Sequence, residues 1–292
     1  MPLVLPGRTF TMESISMAPG MSNADFNRLS AFILQEFGIK LPPAKKTMLQ
    51  GRLQKRLRAL SISTFKDYID YIFSEEGKQQ ELIHMIDVVT TNKTDFFREN
   101  NHFEYLRDYM LPEFMRKTHG REIFKIWSAG CSSGEEPYTM AIVLQEFAKA
   151  NPGFQYSIYA TDISTQVLSK AASAVYPIER VNVIPLALKK KYLLKSKDKS
   201  KPNVRIVQEL RKKVVFQRLN FMDNYYNIDK KFDAVFCRNV LIYFDKETQE
   251  RVIGRQLNHL KSGGYYFLGH SESIMNMKLP LNQIRPTIFI RS

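Results

Sequence analysis

The chain has 292 residues, of which 44% are hydrophobic, and its formal net charge at pH 7 is +14. This length and apolar content predict one large or two unequal folded domains, and the charge predicts an acidic partner: nucleic acid, a membrane surface or an acidic protein. Because the sequence has no apolar run of membrane-spanning length, no signal-peptide core and only two cysteines, we expect a cytoplasmic protein with no membrane insertion, no metal, and both Cys131 and Cys237 buried.

The first third of the chain is predicted to contain a tail and a small helical domain. Residues 1–21 lack periodicity and are predicted as a loose N-terminal tail, whereas apolar residues recur at helical spacing through residues 22–90. Ser22 or Asn23 can cap the first helix, and a second helix over about 44–60 has a leucine face and a basic flank. That flank predicts docking of an acidic partner, with a merely solvated surface as the alternative. It contains Arg52, Lys55, Arg56 and Arg58.

A polar turn followed by aromatic residues joins this domain to the larger one, which we expect over residues 91–292. The joining segment, residues 88–99, contains Phe96 and Phe97, which are too apolar for a free linker. We therefore expect it to pack against the larger domain, in a position from which Arg98 can reach a ligand.

A strand, a glycine turn and a helix follow at residues 123–149. Gly130 and Gly134 lie in the turn, where glycine permits backbone angles that other residues avoid and lets a ligand approach the main chain. A second short strand ends in Asp162, and open α/β sheets bind ligands at the carboxyl ends of their strands. The sequence therefore predicts a nucleotide-like ligand whose ribose hydroxyls donate to Asp162.

The spacing of the glycines narrows the choice of ligand. It is G-x-x-x-G, which is neither the G-x-G-x-x-G of dinucleotide sites nor a phosphate loop ending in Gly-Lys-Ser/Thr. Glu135 and Glu136, directly after the turn, would repel a pyrophosphate but suit a positively charged ligand such as S-adenosylmethionine, which has a sulfonium and an ammonium group. The alternative is structural: the glycines make a tight turn, Glu135 favours a helix N-terminus and Asp162 caps the next helix.

Beyond this site, an inserted β-subdomain is predicted at about residues 188–217. Lysines crowd residues 189–201, and two strand-like runs, residues 204–207 and 214–217, are predicted to pair as a β-hairpin. The lysines form a basic rim on this insertion, or they protect its strand edges from aggregation.

Two further strand ends complete the predicted ligand site. Asn220 follows one strand and Arg238-Asn239 follows another, and their side chains can bond an adenine edge or an amino-acid head group. The end of the chain is predicted to contain a helix, a turn and two strands that are antiparallel at the sheet edge, at residues 248–260, 261–264, 265–268 and 288–290.

Five motifs occur in the same order as in a known family. They are Asn92-Lys93-Thr94 with Phe96-Phe97-Arg98, Gly134-Glu135-Glu136-Pro137-Tyr138, Ala160-Thr161-Asp162, Cys237-Arg238-Asn239-Val240-Leu241-Ile242-Tyr243-Phe244 and Gly269-His270-Ser271-Glu272-Ser273. From about Ser22 to Arg291 the chain thus resembles the chemotaxis receptor methyltransferases, the CheR family. The resemblance implies a small all-α N-terminal domain that docks the receptor, followed by an α/β, Rossmann-like class I methyltransferase domain with an inserted small β-subdomain. It also implies a monomeric enzyme that uses S-adenosylmethionine to esterify glutamates on the cytoplasmic helices of chemoreceptors and releases S-adenosylhomocysteine.

The resemblance further implies roles for individual residues. Arg98 and Tyr243 flank the position of methyl transfer, Asp162 binds the ribose, and one of Glu135 and Glu136 supplies a second acidic contact. The basic second helix contacts the methylation region of the receptor through Arg52, Lys55 and Arg56. The implied cofactor-binding residues are Asn92, Thr94, Arg98, Glu135, Glu136, Asp162, Asn220, Phe221, Arg238 and Asn239.

One departure from the family concerns the insertion. Family members that also bind a C-terminal peptide of the receptor have a glycine-rich loop in this subdomain, whereas residues 195–203 contain no glycine. Binding of such a peptide therefore stays open.

Three other classes of protein stay open as well. A nucleic-acid methyltransferase would fit the charge and the cofactor, but the Asn/Asp-Pro-Pro-aromatic clamp of amino-group enzymes is missing, and Arg238-Asn239-Val240-Leu241 stands in the comparable place. A non-catalytic cofactor sensor differs from an enzyme only in activity, and a dehydrogenase would need the missing dinucleotide glycines. The prediction is therefore a chemoreceptor partner and no nucleic acid.

Overall fold

The structure, a computed structural model, describes residues 20–198 and 200–292. The predicted tail, residues 1–21, lies outside the described residues except for its last two. Met21 is buried among the first helices, and its backbone N–H donates to the Gln50 side chain. Met21, the last residue of the predicted tail, therefore packs against the helices.

Helices form the N-terminal part of the described chain. Ser22 caps the first one, because its hydroxyl accepts a hydrogen bond from the Asp25 N–H, and Gly38 ends it with a φ of 69°. Three leucines of the second helix face the core, as predicted. The sequence pattern does not predict the short fourth helix, which carries no apolar stripe. The helices are α1 (Asn23–Phe37), α2 (Lys46–Leu60), α3 (Phe65–Phe73), α4 (Glu75–Gln80) and α5 (Leu82–Val89).

The joining segment packs against the larger part of the chain, as its aromatic residues predict. Phe96 is buried and meets Tyr176 edge-on, with 5.0 Å between the ring centroids. The N–H of Phe97 donates to the hydroxyl of Thr139, at 3.1 Å. Both contacts fix the backbone directly before Arg98.

Strands and helices alternate through the rest of the described chain. The strands are β1 (Ile123–Ala129), β2 (Gln155–Asp162), β3 (Val175–Pro177), β4 (Leu193–Lys195), β5 (Asn203–Ile206), β6 (Val214–Arg218), β7 (Phe232–Cys237), β8 (Leu260–Leu268), β9 (Leu281–Arg285) and β10 (Ile288–Arg291). The helices are α6 (Asn101–Tyr105), α7 (Leu111–Thr118), α8 (Glu135–Ala150), α9 (Thr165–Ser173), α10 (Leu186–Tyr192), α11 (Gln208–Arg211) and α12 (Lys246–Leu257). A π-helical turn, Leu106–Met110, joins α6 to α7.

The main sheet of the described residues has the strand order β6-β2-β1-β7-β8-β10-β9. The first five of these strands run parallel, and β10 is antiparallel to both of its neighbours. One apolar cluster packs α6, α7 and α8 on one face of the sheet, and a second packs α12 on the other. The predicted α/β, doubly wound architecture is confirmed, and it brings the carboxyl ends of β1, β2 and β7 together at one edge.

The small sheet differs from the predicted insertion. Its strand order is β3-β5-β4 with antiparallel pairing, so the inserted sheet uses strands between residues 175 and 206 and not the predicted span of about 188–217. The predicted hairpin does not form, because the helical turn α11 separates its two runs. After α11 the chain continues into β6, which lies at the outer edge of the main sheet and pairs parallel with β2.

Two corrections concern the end of the chain. The predicted turn at residues 261–264 is part of β8, where the register against β7 shifts and Gly263 takes a φ of 71°. The outermost strand is β9, whose largely polar, exposed residues give no strand pattern in the sequence. The antiparallel pairing of β8 with β10 agrees with the prediction.

Both cysteines are buried, as predicted, Cys131 in the glycine turn and Cys237 at the end of β7. Of the helices in the described ranges, none is both long enough and apolar enough to cross a membrane.

Candidate functional site

A cavity of about 310 Å³ lies where the helical domain meets the carboxyl ends of β1, β2 and β7. The joining segment runs along it, and α1 and α2 contribute its apolar wall. Of the residues predicted to bind a cofactor or to catalyse, all except Glu135 line this cavity. They are Asn92, Thr94, Arg98, Glu136, Asp162, Asn220, Phe221, Arg238, Asn239 and Tyr243.

The glycine turn after β1 forms the floor of the cavity. The N–H groups of Gly130 and Cys131 both donate to the carbonyl of Thr161, at 2.8 Å, which ties the turn to β2. Gly130 has a φ of 87°, and a Cβ atom there would lie 2.4 Å from the Val240 side chain. The close approach of these strand ends therefore requires glycine at this position.

The two acids after the turn have different surroundings. Glu135 accepts hydrogen bonds from Arg180 and the Ser133 hydroxyl, each at 2.7 Å, and does not line the cavity. Glu136 lines it and accepts from the Ser128 hydroxyl at 2.6 Å and from Arg238 Nε at 2.9 Å. Burial raises the pKa of Glu136, and the charge of Arg238 acts in the opposite direction. Glu136 is therefore the cavity acid of the pair.

Asp162 lies at the end of β2 and is buried. Its two carboxylate oxygens accept from the N–H groups of Ser132, at 2.8 Å, and Ser164, at 3.0 Å. Burial raises the pKa of Asp162, and these backbone N–H groups oppose that rise. Because an ionised carboxylate has about four acceptor positions, two are left for a ligand in the cavity.

Arg98 lies between two residues in strained backbone conformations. Phe97 and Glu99 have φ values of 54° and 56°, which non-glycine residues rarely adopt. The Arg98 guanidinium donates to the Lys93 carbonyl at 3.0 Å, and the Arg98 carbonyl accepts from Arg238 at 2.7 Å. Such strain persists only where surrounding contacts hold it, and it is typical of functional sites.

Tyr243 and Asn220 connect the cavity to α1. The carbonyl of Tyr243 accepts from the Lys40 N–H at 3.0 Å, and burial raises the pKa of its phenol. The Asn220 amide donates to the Glu36 carbonyl at 2.9 Å and accepts from the Met222 N–H at 3.0 Å. The side chain of Asn220 thus joins the helical domain to the sheet.

Two acidic or basic residues of the site carry no signal strong enough to be assigned a role from sequence. Glu272, a member of one quoted motif, is buried and accepts from the N–H groups of four residues, which are Asn239, Val240, Leu241 and Gly269. It fixes the loop after β7, in which Asn239 has a φ of 59°. The second is His102, fully buried in α6, which sequence alone does not distinguish from a core residue.

His102 bonds through both ring nitrogens. Arg238 can only donate, so its 2.9 Å contact makes Nδ1 the acceptor and leaves the proton on Nε2, which donates to Thr287 at 2.8 Å. Burial, followed by the charges of Arg238 and His270, lowers the pKa of His102 to about 3. The imidazole is therefore neutral at physiological pH.

Acid should destabilise the fold through His102. Folding expels a proton from this ring between pH 6.5 and about 3, because the unfolded chain has the ordinary pKa and the folded protein the lowered one. Arg238 and His270 disfavour the imidazolium, and among the described residues Glu99 is the acid that faces the ring. Lowering the pH from 7 to 5 should therefore cost the wild type about 2 kcal/mol more than the His102→Asn variant. Urea unfolding at both pH values measures this.

The exposed His119 provides a control for that comparison. It ends α7 with a φ of 52°, a conformation that asparagine tolerates, so His119→Asn changes the same residue type without strain. A difference between wild type and His102→Asn that stays constant from pH 7 to pH 5 would contradict the buried, neutral state of His102.

Glu99, His102 and His270 have ligand atoms within 4.8 Å of one another, as a metal site would. The Arg238 guanidinium, however, already bonds Nδ1 of His102, and Thr287 accepts from Nε2. The positive charge of Arg238 at this position would repel a metal cation. Both ring nitrogens of His102 are therefore engaged in hydrogen bonds to Arg238 and Thr287 and are not free to bind a metal.

The basic residues of α2 do not act alike. Arg52 donates to the carbonyls of Val89 and Thr90, and Arg56 bonds both oxygens of the buried Glu81, each at 2.7 Å. Both lie next to the leucine face, so they reach α5 and are structural contacts. Lys55, by contrast, is exposed, as is Arg58.

Comparison with known proteins gives family matches over nearly the whole chain. The family model described as "CheR methyltransferase, all-alpha domain" matches residues 24–90, and that described as "CheR methyltransferase, SAM binding domain" matches residues 92–290.

The matches to curated relatives extend over most of this chain and most of each relative. A chemotaxis protein methyltransferase of Borreliella burgdorferi is 40% identical over 91% of this chain and 93% of the relative. One of Salmonella typhimurium is 37% identical over 93% and 91%, respectively. Chemotaxis protein methyltransferase 2 of Pseudomonas aeruginosa is also 37% identical, over 91% and 92%.

Proposed function

The chain belongs to the CheR family of S-adenosylmethionine-dependent chemotaxis protein methyltransferases, and we propose that it methylates glutamate side chains of chemoreceptors. The products are glutamate methyl esters and S-adenosylhomocysteine. The observation that carries the proposal is the cavity, which combines two buried acids, Glu136 and Asp162, with the Arg98 side chain in one cleft.

The cavity fits S-adenosylmethionine by its chemistry. When bound, this cofactor supplies an electrophilic methyl group. Asp162 has free acceptor positions for the ribose hydroxyls, and the buried pair of Glu136 and Arg238 suits the ammonium and carboxylate of the methionine part. Asn92, Thr94, Phe221 and Asn239 complete the proposed cofactor contacts.

The proposed reaction needs no general base. A glutamate side chain has an ordinary pKa of about 4.3, so the acceptor is already a nucleophilic carboxylate at neutral pH. Arg98 orients that carboxylate, with Tyr243 on the other side of the transfer position. Fixing the carboxylate oxygen in line with the methyl group removes an entropic barrier that can reach about 7–11 kcal/mol.

Charge decreases during the reaction, because an anionic acceptor meets a cationic donor. A dry surrounding therefore favours the transition state, and Phe37, Leu41 and Phe244 supply apolar lining to the cavity. Arg98 must hold the acceptor without binding it so tightly that its nucleophilicity is lost.

The proposed partner is the acidic cytoplasmic helices of a chemoreceptor, and the enzyme acts in the cytoplasm as a monomer. A helical docking domain over residues 22–90 precedes a methyltransferase domain over 91–292. The exposed Lys55 and Arg58 of α2 support docking of an acidic helix, and the net charge of +14 favours its approach. Arg52 and Arg56 support docking indirectly, since they hold α2 in place.

The decisive experiment is methyl transfer from labelled S-adenosylmethionine to a receptor cytoplasmic fragment, followed by mild alkali. A carboxyl ester hydrolyses under these conditions, so we expect the label to be released as methanol. A fragment whose accepting glutamates are replaced by alanine is the matched control and should stay unlabelled.

Other outcomes would reject the proposal. Label that resists alkali would mean an N-methyl product, and label on added nucleic acid in place of the receptor would mean a nucleic-acid methyltransferase. Cofactor binding without transfer to either acceptor would mean a cofactor sensor.

A further inference from the structure

The buried guanidinium of Arg238 connects three parts of the molecule. Its Nε atom donates to Glu136, one terminal nitrogen donates to His102, and the other donates to the carbonyl of Arg98. The side chain is 2% exposed, so these bonds form away from bulk water and each is stronger than on the surface. Arg238 therefore links the cavity acid to the backbone of the joining segment.

The bond to the Arg98 carbonyl holds a conformation that the chain alone would avoid. Phe97 and Glu99, on either side, both have positive φ values, which non-glycine residues keep only where surrounding contacts hold them. Glu99 Oε1 accepts from the Asn239 amide at 3.2 Å, which adds a second link to the loop after β7. The direction of the Arg98 side chain thus depends on where Arg238 is held.

Glu99 offers Arg238 a competing partner. Its Oε2 atom is buried without a hydrogen bond in the described part of the chain, 3.8 Å from Arg238 and 3.7 Å from Nδ1 of His102. A direct ion pair would satisfy both charges. The neutral His102 ring accepts from the terminal nitrogen of Arg238 nearest to Glu99 and holds it 3.8 Å from Oε2, beyond hydrogen-bond distance.

We propose that His102 is a positioning residue for methyl transfer, which keeps Arg238 bonded to the Arg98 carbonyl and prevents its capture by Glu99. Thr287, near the end of the chain, fixes the imidazole tautomer that this requires. The inference rests on the proposed function, because it gives Arg98 its orientation toward the acceptor carboxylate.

Two substitutions separate this role from simple packing. In His102→Asn, the amide oxygen can occupy the place of Nδ1, so Arg238 keeps an acceptor. In His102→Phe, the ring still packs against Phe236 and Phe267, but no acceptor remains. Both variants should lose stability, the first through a cavity and the second through an unpaired guanidinium nitrogen.

The two variants should differ in turnover. With a receptor fragment, we expect kcat to decrease about 10- to 100-fold in His102→Phe, because a misplacement of about 1 Å can cost that much, and only a few-fold in His102→Asn. Binding of S-adenosylhomocysteine, measured by calorimetry, should change less than about 3-fold in both, since Arg238 keeps its bond to Glu136.

Hydrogen exchange provides a readout that does not depend on activity. The amides of residues 97–99 should exchange faster in His102→Phe than in the wild type, and at nearly the wild-type rate in His102→Asn. Equal kcat in His102→Phe and wild type, or losses in both variants that simply follow their melting temperatures, would overturn the inference. A wild type that binds cofactor but methylates no receptor would reject the proposed function instead, and the exchange pattern would still decide the role of His102.

Discussion

Replacing Asp162 with alanine should weaken binding of S-adenosylmethionine by about 100-fold or more. In the proposed complex the carboxylate accepts from both ribose hydroxyls, and a hydrogen bond to a charged group contributes about 1.5–3 kcal/mol. The substitution also leaves the N–H groups of Ser132 and Ser164 without their acceptor, so the glycine turn loses support. Calorimetry with S-adenosylhomocysteine measures the loss without requiring a receptor.

A second buried aspartate provides the matched control. Asp233, at the beginning of β7, accepts from the Lys125 N–H and pairs with Lys261, each at 2.8 Å, at the opposite edge of the sheet from the cavity. Asp233→Ala should therefore lower stability without changing cofactor affinity. Equal losses of affinity in the two variants would mean that Asp162 acts through the fold and not through the ribose.

Reversing the two exposed charges of α2, with Lys55→Glu and Arg58→Glu, should reduce kcat/KM for receptor methylation on the order of 100-fold. Like charges opposed across an interface cost several kcal/mol, and the proposed receptor helices are acidic. Binding of S-adenosylhomocysteine should not change, because neither side chain lines the cavity. The effect should also diminish at high salt, as contacts between exposed charges do.

The control for the α2 double variant is a second double variant with the same change of charge at a distant surface. Arg116 and Arg121 are exposed near the end of α7 and the beginning of β1, at the edge of the sheet away from the cavity. Arg116→Glu with Arg121→Glu should leave methylation near the wild-type rate. A similar loss in both double variants would show that only net charge matters, and no loss in the α2 variant would reject docking through this face.

Local signals predict much of this fold. The cap at Ser22 and the glycine at residue 38 define α1, since both act within a few residues of chain. Asp162 and Arg238 are predicted at one site because they follow buried strands, and the parallel sheet brings such positions together. These predictions depend on short-range chemistry or on one general rule of topology.

Contacts between distant segments explain what the sequence does not predict. The runs that form β5 and β6 have the pattern of a hairpin, but helical turn α11 lies between them and β6 pairs with the edge of β2. In the sequence Arg56 looks like a surface charge, because its partner Glu81 lies 25 residues later and only the fold brings the two together. The role of His102 depends on Arg238, which is 136 positions away.

Arg52 connects helix α2 to the cofactor cavity. Its guanidinium extends from α2, the proposed docking helix, and donates to the carbonyls of Val89 and Thr90, which also line the cavity. In the proposed docking mode, a movement of α2 on receptor contact would shift these residues around the cofactor. Linkage then requires reciprocity: by whatever factor a receptor changes the affinity for S-adenosylhomocysteine, S-adenosylhomocysteine changes the affinity for the receptor by the same factor. We therefore expect product exchange and receptor release to be coupled through this arginine.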